Sequence, residues 1–405
     1  MISSFEKCPD NWSMLRIDEI AIIQSGTGFP PDAQGSSNGS IPFLKVSDMN
    51  LPKNSRFIEE WNNSITEEQV SKLKAKLLPK GAVIFPKIGG AIATNKKRVL
   101  TIPSCFDNNV MGLKAKQGVL DEYLYWLLQS IDLTAWSSSS SLPSMKASTV
   151  KEFLVPVPSM AEQKRIVAKL DALLNRIDTA IEHLQESVTL ADALSKNGLS
   201  EIFESLKDRY EVVPLSFVVK INSGIALPKL FKNGFSDGDI PFFKVAQMNN
   251  HHETMVAPEI TFNETVAKEH KIKLFPKGST LIPKRGGAIL TNKKRMLLED
   301  ASYDSNIMGL KADESKISDE YLFAFMRTID LANFVDASTI PQVNNKHIDQ
   351  MQIPLASIEE QAGVVSRVNL LVKKVETMNS EIQRQLDDLQ ALKSSILDSA
   401  FKGEL

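Results

Sequence analysis

The side chains in this sequence best suited to chemistry are cations at a repeated spacing. Lys96, Lys97 and Arg98 follow a Gly-Gly pair in PKIGGAIATNKKR, and Lys293, Lys294 and Arg295 follow one in PKRGGAILTNKKR. Lys87 precedes the first pair, and Lys284 with Arg285 precedes the second. Three consecutive cations at a strand end or turn cannot all enter a core, so they are expected to face solvent or an anion. Arg forks onto guanine or phosphate, and Lys supplies a point charge. A merely soluble surface hairpin is the plain alternative. The duplicate placement favours a long anion touched at two points, such as a nucleic-acid duplex.

Signatures of catalysis are not found in the sequence. PKGST at 276–280 has the wrong spacing for a GxxxxGK[ST] phosphate loop, and there is no GxSxG, no HExxH and no Asn/Asp-Pro-Pro-aromatic motif. Of five histidines only His251 and His252 adjoin, without a counterpart in the other half, and they read as a solvated loop. Cys8 and Cys105 form no CxxC pair, so neither zinc nor a disulfide framework is expected.

The elements that position the cations come twice. LPKGAVIFPKIGGAIATNKKRVL (78–100) matches FPKGSTLIPKRGGAILTNKKRML (275–297), as two strands around a Gly-Gly turn. IPFLKVSDMN (41–50) answers IPFFKVAQMN (240–249), a short half-buried strand with polar groups at its end. Ser25-Gly26 and Ser223-Gly224 mark a strand running into a glycine turn, and a helix begins at DEYL in both copies, at Asp121 and Asp319. Polar loops, SSSSSLPSMKASTVKEF and DASTIPQVNNKHIDQM, close each globular part.

A long helical run follows each loop, after Pro158 and after Pro354. Leu170, Ile177, Leu184 and Ala191 recur every seven residues, as do Val368, Val375, Ile382 and Leu389, which gives both helices a coiled-coil seam. The copies are offset by 198 (368 minus 170, 389 minus 191). Burying such a seam is worth roughly 1.5 to 3 kcal/mol per side chain, so the equivalent helices are expected to pair antiparallel, giving a pseudo-two-fold object. The central helix is expected to break near Asn197-Gly198. The fold class is therefore α+β, with two similar globular domains at 1–158 and 209–356 and two long helices at 159–208 and 357–405.

A chain of 405 residues with 42% hydrophobic and 24% charged residues is an ordinary globular composition of two or more domains. Its apolar runs are too short to cross a bilayer and MISSFEKCPDNW lacks a signal-peptide core, so a cytoplasmic location is expected. A net charge of −2 argues against a generic nucleic-acid binder. Position is more informative. Basic against acidic residues number 17 to 15 in 1–158 and 18 to 17 in 209–356, but 6 to 9 in 159–208 and 6 to 8 in 357–405. The globular parts have the sign expected of surfaces facing phosphate.

The whole chain resembles the specificity subunit of type I restriction-modification systems. The resemblance rests on two globular domains each followed by a long helix, on EQKRIVAKLDALL and EEQAGVVSRVNLL at the helix starts, and on the terminal AFKGEL. The second start departs from the commoner EQxRIV, with Ala362, Gly363 and Val364 there, which weakens that helix start. The resemblance implies that each domain reads one half of a split double-stranded DNA site and that the helices set the spacer. It implies two modification subunits, which bind S-adenosylmethionine and methylate adenine, docked on the helices, with restriction subunits joining them. The chain itself would bind no cofactor and no metal and would transfer no methyl group. Expected DNA contacts are Lys45, Lys87, Lys96, Lys97, Arg98 and Lys146, then Lys244, Gln247, Lys284, Arg285, Lys293, Lys294, Arg295, Asn344, Asn345 and Lys346. Most of these are expected to hold phosphate and fix register, and only a few, Arg285 and Gln247 among them, to read base edges. A coiled-coil adaptor without DNA binding, and an autonomous DNA methyltransferase or nuclease, are the rival readings.

Overall fold

A computed structural model describes residue 5 and residues 8–138, 142–336 and 340–405. Residues 139–141 and 337–339 of the two polar loops, and most of 1–7, lie outside the described residues. The chain divides into two compact units, 1–185 with 383–405, and 186–382.

Among the described residues of the first unit ten strands form three sheets. They are β1 (Ser13–Arg16), β2 (Ala21–Ser25), β3 (Ile41–Leu44), β4 (Phe57–Ile58), β5 (Ser64–Ile65), β6 (Val83–Pro86), β7 (Arg98–Leu100), β8 (Cys105–Phe106), β9 (Val110–Ala115) and β10 (Leu154–Val157). The main sheet has the order β2-β9-β6-β7-β4, a second has β5-β3-β8, and β1 pairs with β10. Val83, Ile84 and Phe85 of β6 are fully buried, as a continuous apolar run predicts for a central strand. β3 is buried along its whole length rather than half-buried. Between β1 and β2 a single helical turn, Ile17–Ile20, interrupts what the sequence reads as one strand.

Helix Asp121–Gln129 places Asp121 and Glu122 in its first turn, where the helix dipole favours acids, and buries every residue from Tyr123 to Leu128. These pack with Phe85, Met111, Leu113, Trp136 and Phe153 into one core, to which Leu170, Leu174 and Ile177 of the central helix and Leu397, Ala400 and Phe401 of the C-terminal helix also belong. The two helical segments of this unit are antiparallel: Arg165 bonds the carbonyl of Leu405 at 2.6 Å and Asp178 pairs with Lys393 at 2.5 Å.

The second unit repeats the plan. Its strands are β11 (Val212–Pro214), β12 (Val219–Ser223), β13 (Phe235–Asp237), β14 (Ile240–Phe243), β15 (Ile260–Phe262), β16 (Thr280–Pro283), β17 (Arg295–Met296), β18 (Ser302–Tyr303), β19 (Ile307–Ala312) and β20 (Gln352–Pro354). The sheets are β12-β19-β16-β17, β13-β15-β14-β18 and β11-β20. Helix Asp319–Thr328 packs with Leu199, Phe203 and Leu206 of the central helix and Val364 and Val368 of the C-terminal helix. Here too the segments are antiparallel, with Asp192 bonded to Asn379 at 3.1 Å and Arg209 to Glu360 at 2.9 Å.

The central helix runs unbroken from Met160 to Lys207, and the C-terminal helix from Ile358 to Lys402. The expected break at Asn197-Gly198 is absent, because Gly198 serves packing: a Cβ there would stand 2.8 Å from Leu371 Cδ2. Nor do Ala362, Gly363 and Val364 weaken the second helix's start; they are helical, and Val364 is fully buried. Along the two seams Leu170, Ile177, Ala191, Val368, Val375 and Ile382 are buried, while Leu184 and Leu389 are half-buried.

The EQ signature has a structural account. Ser159 and Ser357 accept hydrogen bonds from the amides of Glu162 and Glu360 as helix caps. Gln163 is fully buried; its Oε1 accepts from the Leu120 amide at 2.9 Å and its Nε2 donates to the carbonyls of Gly118 and Pro158, both at 3.0 Å. Gln361 does the same with Ser318 (2.8 Å), Lys316 (3.0 Å) and Ala356 (2.9 Å). Each glutamine pins a long helix to the loop that opens the domain's main helix.

Candidate nucleic-acid interface

Each unit builds one basic surface element around its Gly-Gly pair. After β6 the chain enters a 3-10 turn, Gly89–Thr94, in which Gly89 has a φ of 72°, a region L side chains seldom adopt. The polar loop that closes the domain lies across this turn: Gly89 N donates to Pro143 O at 2.7 Å and Met145 N to Lys87 O at 2.9 Å. In the second unit Gly286 N donates to Pro341 O at 2.9 Å and Val343 N to Lys284 O at 3.0 Å. Lys87 and Lys146 are thereby brought together, and so are Lys284 and Arg285 with Asn344, Asn345 and Lys346. Lys146, Arg285, Asn345 and Lys346 are exposed; Lys87, Lys96, Lys284 and Lys293 are half-buried.

Three of the six cations in the two KKR runs, Lys97, Lys294 and Arg295, are buried and a fourth, Arg98, is half-buried with its guanidinium on backbone carbonyls, which corrects the expectation drawn from their adjacency. Lys97 is fully buried, and its Nζ donates to Asn95 Oδ1 and to Ile131 O, both at 2.7 Å. Asn95 sits in a left-handed conformation and its Oδ1 also accepts the Leu133 amide at 2.9 Å. Lys294 repeats the knot with Asn292 Oδ1 at 2.7 Å and Ile329 O at 2.5 Å. Desolvation lowers the Lys97 pKa to about 7 against the pull of Asp132, and that of Lys294 to about 8 against Asp330, with Lys196 adding to the depression.

Arg98 donates to the carbonyls of Asn54 (2.5 Å), Lys97 (3.0 Å) and Met49 (3.1 Å). Arg295 binds Asn250 through Oδ1 (3.1 Å) and the carbonyl (2.8 Å), and Lys294 O at 2.7 Å. These arginines knit loops to β7 and β17 and leave Lys96 and Lys293 as the outward members of each run. Asn95 and Asn292, one residue before each run, are the signal that would have pointed to the inward lysines.

The remaining expected contacts are partly committed to neighbours. Lys45 lies 3.4 Å above the Phe29 ring and donates to Gln34 at 2.5 Å. Lys96 donates to Asn50. Lys244 pairs with Glu259 at 3.1 Å, and Lys346 with Asp336 at 2.6 Å. Gln247, an expected base reader, has both ends of its amide engaged: Oε1 accepts the Lys244 amide at 2.9 Å and Nε2 donates to Ala257 O at 2.9 Å. Asn344 holds Asp336 through Nδ2 at 3.1 Å. Arg285, by contrast, is exposed beside the closing loop. Among the described residues no group of three His, Cys, Asp or Glu side chains could hold a metal ion, and no helix is long and apolar enough to cross a membrane. Both cysteines are free.

Two α+β units that share one plan, each joined to a long helix and each carrying a basic Gly-Gly turn, define a duplicated recognition protein. Residues 9–190 and again 207–387 match the family described as type I restriction modification DNA specificity domain, and the chain belongs to it. It is a specificity subunit, concerned with DNA target recognition and not with catalysis. Its sequence is 23% identical over 424 residues to the type I restriction enzyme MjaIX specificity subunit of Methanocaldococcus jannaschii, covering 98% of this chain and 94% of that protein. With the EcoKI specificity subunit of Escherichia coli the identity is 20%, over 98% and 90% of the two chains. The fold is shared with the HsdS subunit of Thermoanaerobacter tengcongensis, at a TM-score of 0.56 and 19% identity with 100% of both chains covered. It is also shared with a chain from a structure on complex assembly and conformational transition of the type I R-M system. There the TM-score is 0.75 at 19% identity, over 98% of this chain and 100% of that one.

Proposed function

We propose that each globular part reads one half of a bipartite double-stranded DNA site, while the long helices set the gap between the halves and dock two modification subunits. Those partners would carry S-adenosylmethionine and methylate an adenine, extruded from the duplex into their own pocket; restriction subunits would complete the assembly. The observation that carries this reading is the duplicated turn. In both copies a Gly-Gly turn is crossed by the closing loop and bordered by outward cations, Lys87, Lys96 and Lys146 in one, Lys284, Arg285, Lys293 and Lys346 in the other.

Phosphate contacts from the lysines would fix register, and Arg285 is the side chain best placed to fork onto a guanine edge. Helices of 48 and 45 residues rise about 72 and 68 Å at 1.5 Å per residue. That is about two duplex turns of 34 to 36 Å, enough for a gap of around one turn once the ends are allowed for. The test is to delete four residues from each helix and map methylated adenines in a host carrying the assembled system. A shortened gap with unchanged half-sites is expected; an unchanged gap would refute the ruler. Target binding that vanished for every duplex would favour a coiled-coil adaptor, and methyl transfer by the isolated chain an autonomous enzyme.

A further inference from the structure

Leu142 and Ile340 occupy one place in the two copies, 198 residues apart (340 minus 142). Each immediately precedes the proline whose carbonyl accepts the hydrogen bond of the Gly-Gly turn. Both are strongly exposed, at 64% and 59%. Leu142 lies over the turn, its Cδ1 being 3.6 Å from where a Cβ on Gly89 would be. In the second unit nothing lies within 4 Å of where a Cβ on Gly286 would be, and Leu290, at the far end of the turn, is 69% exposed.

One exposed leucine is unremarkable on any protein. An aliphatic side chain kept outward at the same position of both copies, where the next apolar residues of the loops, Met145 and Val343, are buried, calls for an account. Its neighbours supply one. Backbone bridges between Ile88 and Ser144 and between Arg285 and Gln342 hold the closing loop to the turn, so Lys87 and Lys146 lie along the same crossing as Leu142, and Lys284, Arg285 and Lys346 along the same crossing as Ile340. Cations so placed are drawn to the phosphates of a duplex, which leaves the aliphatic side chain of the crossing over the groove. There an aliphatic group gains nothing from phosphate, and the one apolar group that base edges offer in the major groove is the thymine methyl.

We propose that Leu142 and Ile340 are specificity-determining residues, each packing on a thymine methyl in its half of the target. This rests on the reading that each unit recognises a half-site. A half-site holding a methylatable adenine contains an A·T pair, so a thymine is available in each.

The experiment uses the full chain assembled with its modification subunits and a duplex carrying the mapped site, in which each thymine in turn is replaced by deoxyuridine. That change deletes only the methyl, and burial of one such group corresponds to about a fourfold change in affinity. One deoxyuridine in each half should weaken wild-type binding about three- to fivefold. Leu142→Ala should lose a similar factor and be indifferent to the deoxyuridine in its half, and Ile340→Ala should behave likewise in the other, as a double-mutant cycle requires of contacting groups. Melting temperatures of both variants should match wild type. Independent, multiplying losses, or no sensitivity to any thymine methyl, would overturn the proposal while leaving half-site reading intact. Binding that does not distinguish the mapped site from a scrambled duplex would overturn the half-site reading, and this proposal with it.

Discussion

Arg56, just ahead of β4, donates its Nη1 to Asp171 on the central helix at 2.8 Å, and the same carboxylate oxygen accepts Trp126 Nε1 at 2.9 Å. The guanidinium also lies 4.8 Å from the Trp126 ring centroid and 4.7 Å from that of Tyr125. The second unit makes this joint with the charges exchanged. Arg327 stands on the domain's helix, ion-pairs with Glu253 and bonds Asn369 at 3.2 Å, and Asn369 is the counterpart of Asp171 (369 minus 171 is 198). Asp171→Ala strands a mostly buried guanidinium and an indole N–H. It should cost about 1 to 3 kcal/mol, whereas Asn369→Ala, which leaves Arg327 its Glu253 partner, should cost clearly less. Denaturant unfolding of the two full-length variants compares them; equal losses would mean Asp171 is not the acceptor that holds the first joint.

Gln163 and Gln361 should be more sensitive than any seam position of equal size, because each side chain is buried and makes three hydrogen bonds. Truncation to Ala leaves two carbonyls and one amide without partners, for an expected loss of about 2 to 4 kcal/mol. Glu is the sharper probe, since it keeps the shape and the acceptor but cannot donate to Gly118 and Pro158. A Gln163→Glu variant as stable as wild type at neutral pH would show that the pin works by shape alone.

How far the sequence was legible follows from the range of the forces involved. The seven-residue beat through Leu170 and Ile177 reports a local periodicity, so both helices and their seams were readable. The duplicated DEYL helix starts and the Gly-Gly turn were readable for the same reason. Gly198 misled because its neighbour in space, Leu371, is 173 positions away (371 minus 198), and glycine looks alike as a breaker and as a packing gap. The direction of Lys97 was hidden likewise: a buried ammonium is tolerable only where fixed acceptors meet it, and Ile131 O, 34 residues on, is supplied by the tertiary fold. A run of three cations is a charge pattern in sequence, but in space its members point in different directions.

The buried lysines give stability a pH dependence whose sign follows from proton counting. Lys97 titrates at about 7 in the folded protein and at 10.5 when free, and Lys294 at about 8 against the same free value. Between these limits the unfolded chain binds more protons than the folded one, so stability rises with pH from about 7 towards 10.5. The penalty for the charged form is greatest below about 7 and gone above 10.5. A Lys97→Met, Lys294→Met double variant should therefore show a flatter rise in melting temperature between pH 7 and 10 than wild type. Taking the difference between the two proteins removes the titration of tyrosines and cysteines common to both. Parallel curves would mean that these ammonium groups are hydrated in solution.

Outward and inward members of the KKR runs should separate in a salt titration of DNA binding by the assembled complex. Lys96 and Lys293 are half-buried at the surface, and a lysine neutralising one phosphate contributes about 0.9 to the slope of log affinity against log salt. Lys96→Ala with Lys293→Ala should flatten that slope by up to about 1.8 and weaken binding across sequences, leaving melting unchanged. Arg98→Ala and Arg295→Ala should instead lower the melting temperature, because each guanidinium holds three backbone or amide oxygens of neighbouring loops. Their effect on DNA should follow that loss of fold and leave the salt slope of the surviving complex near wild type. An unchanged slope in the double lysine variant would assign Lys96 and Lys293 to the solvated surface, and would move phosphate contact to Lys87, Lys146, Lys284 and Lys346 around the closing loop.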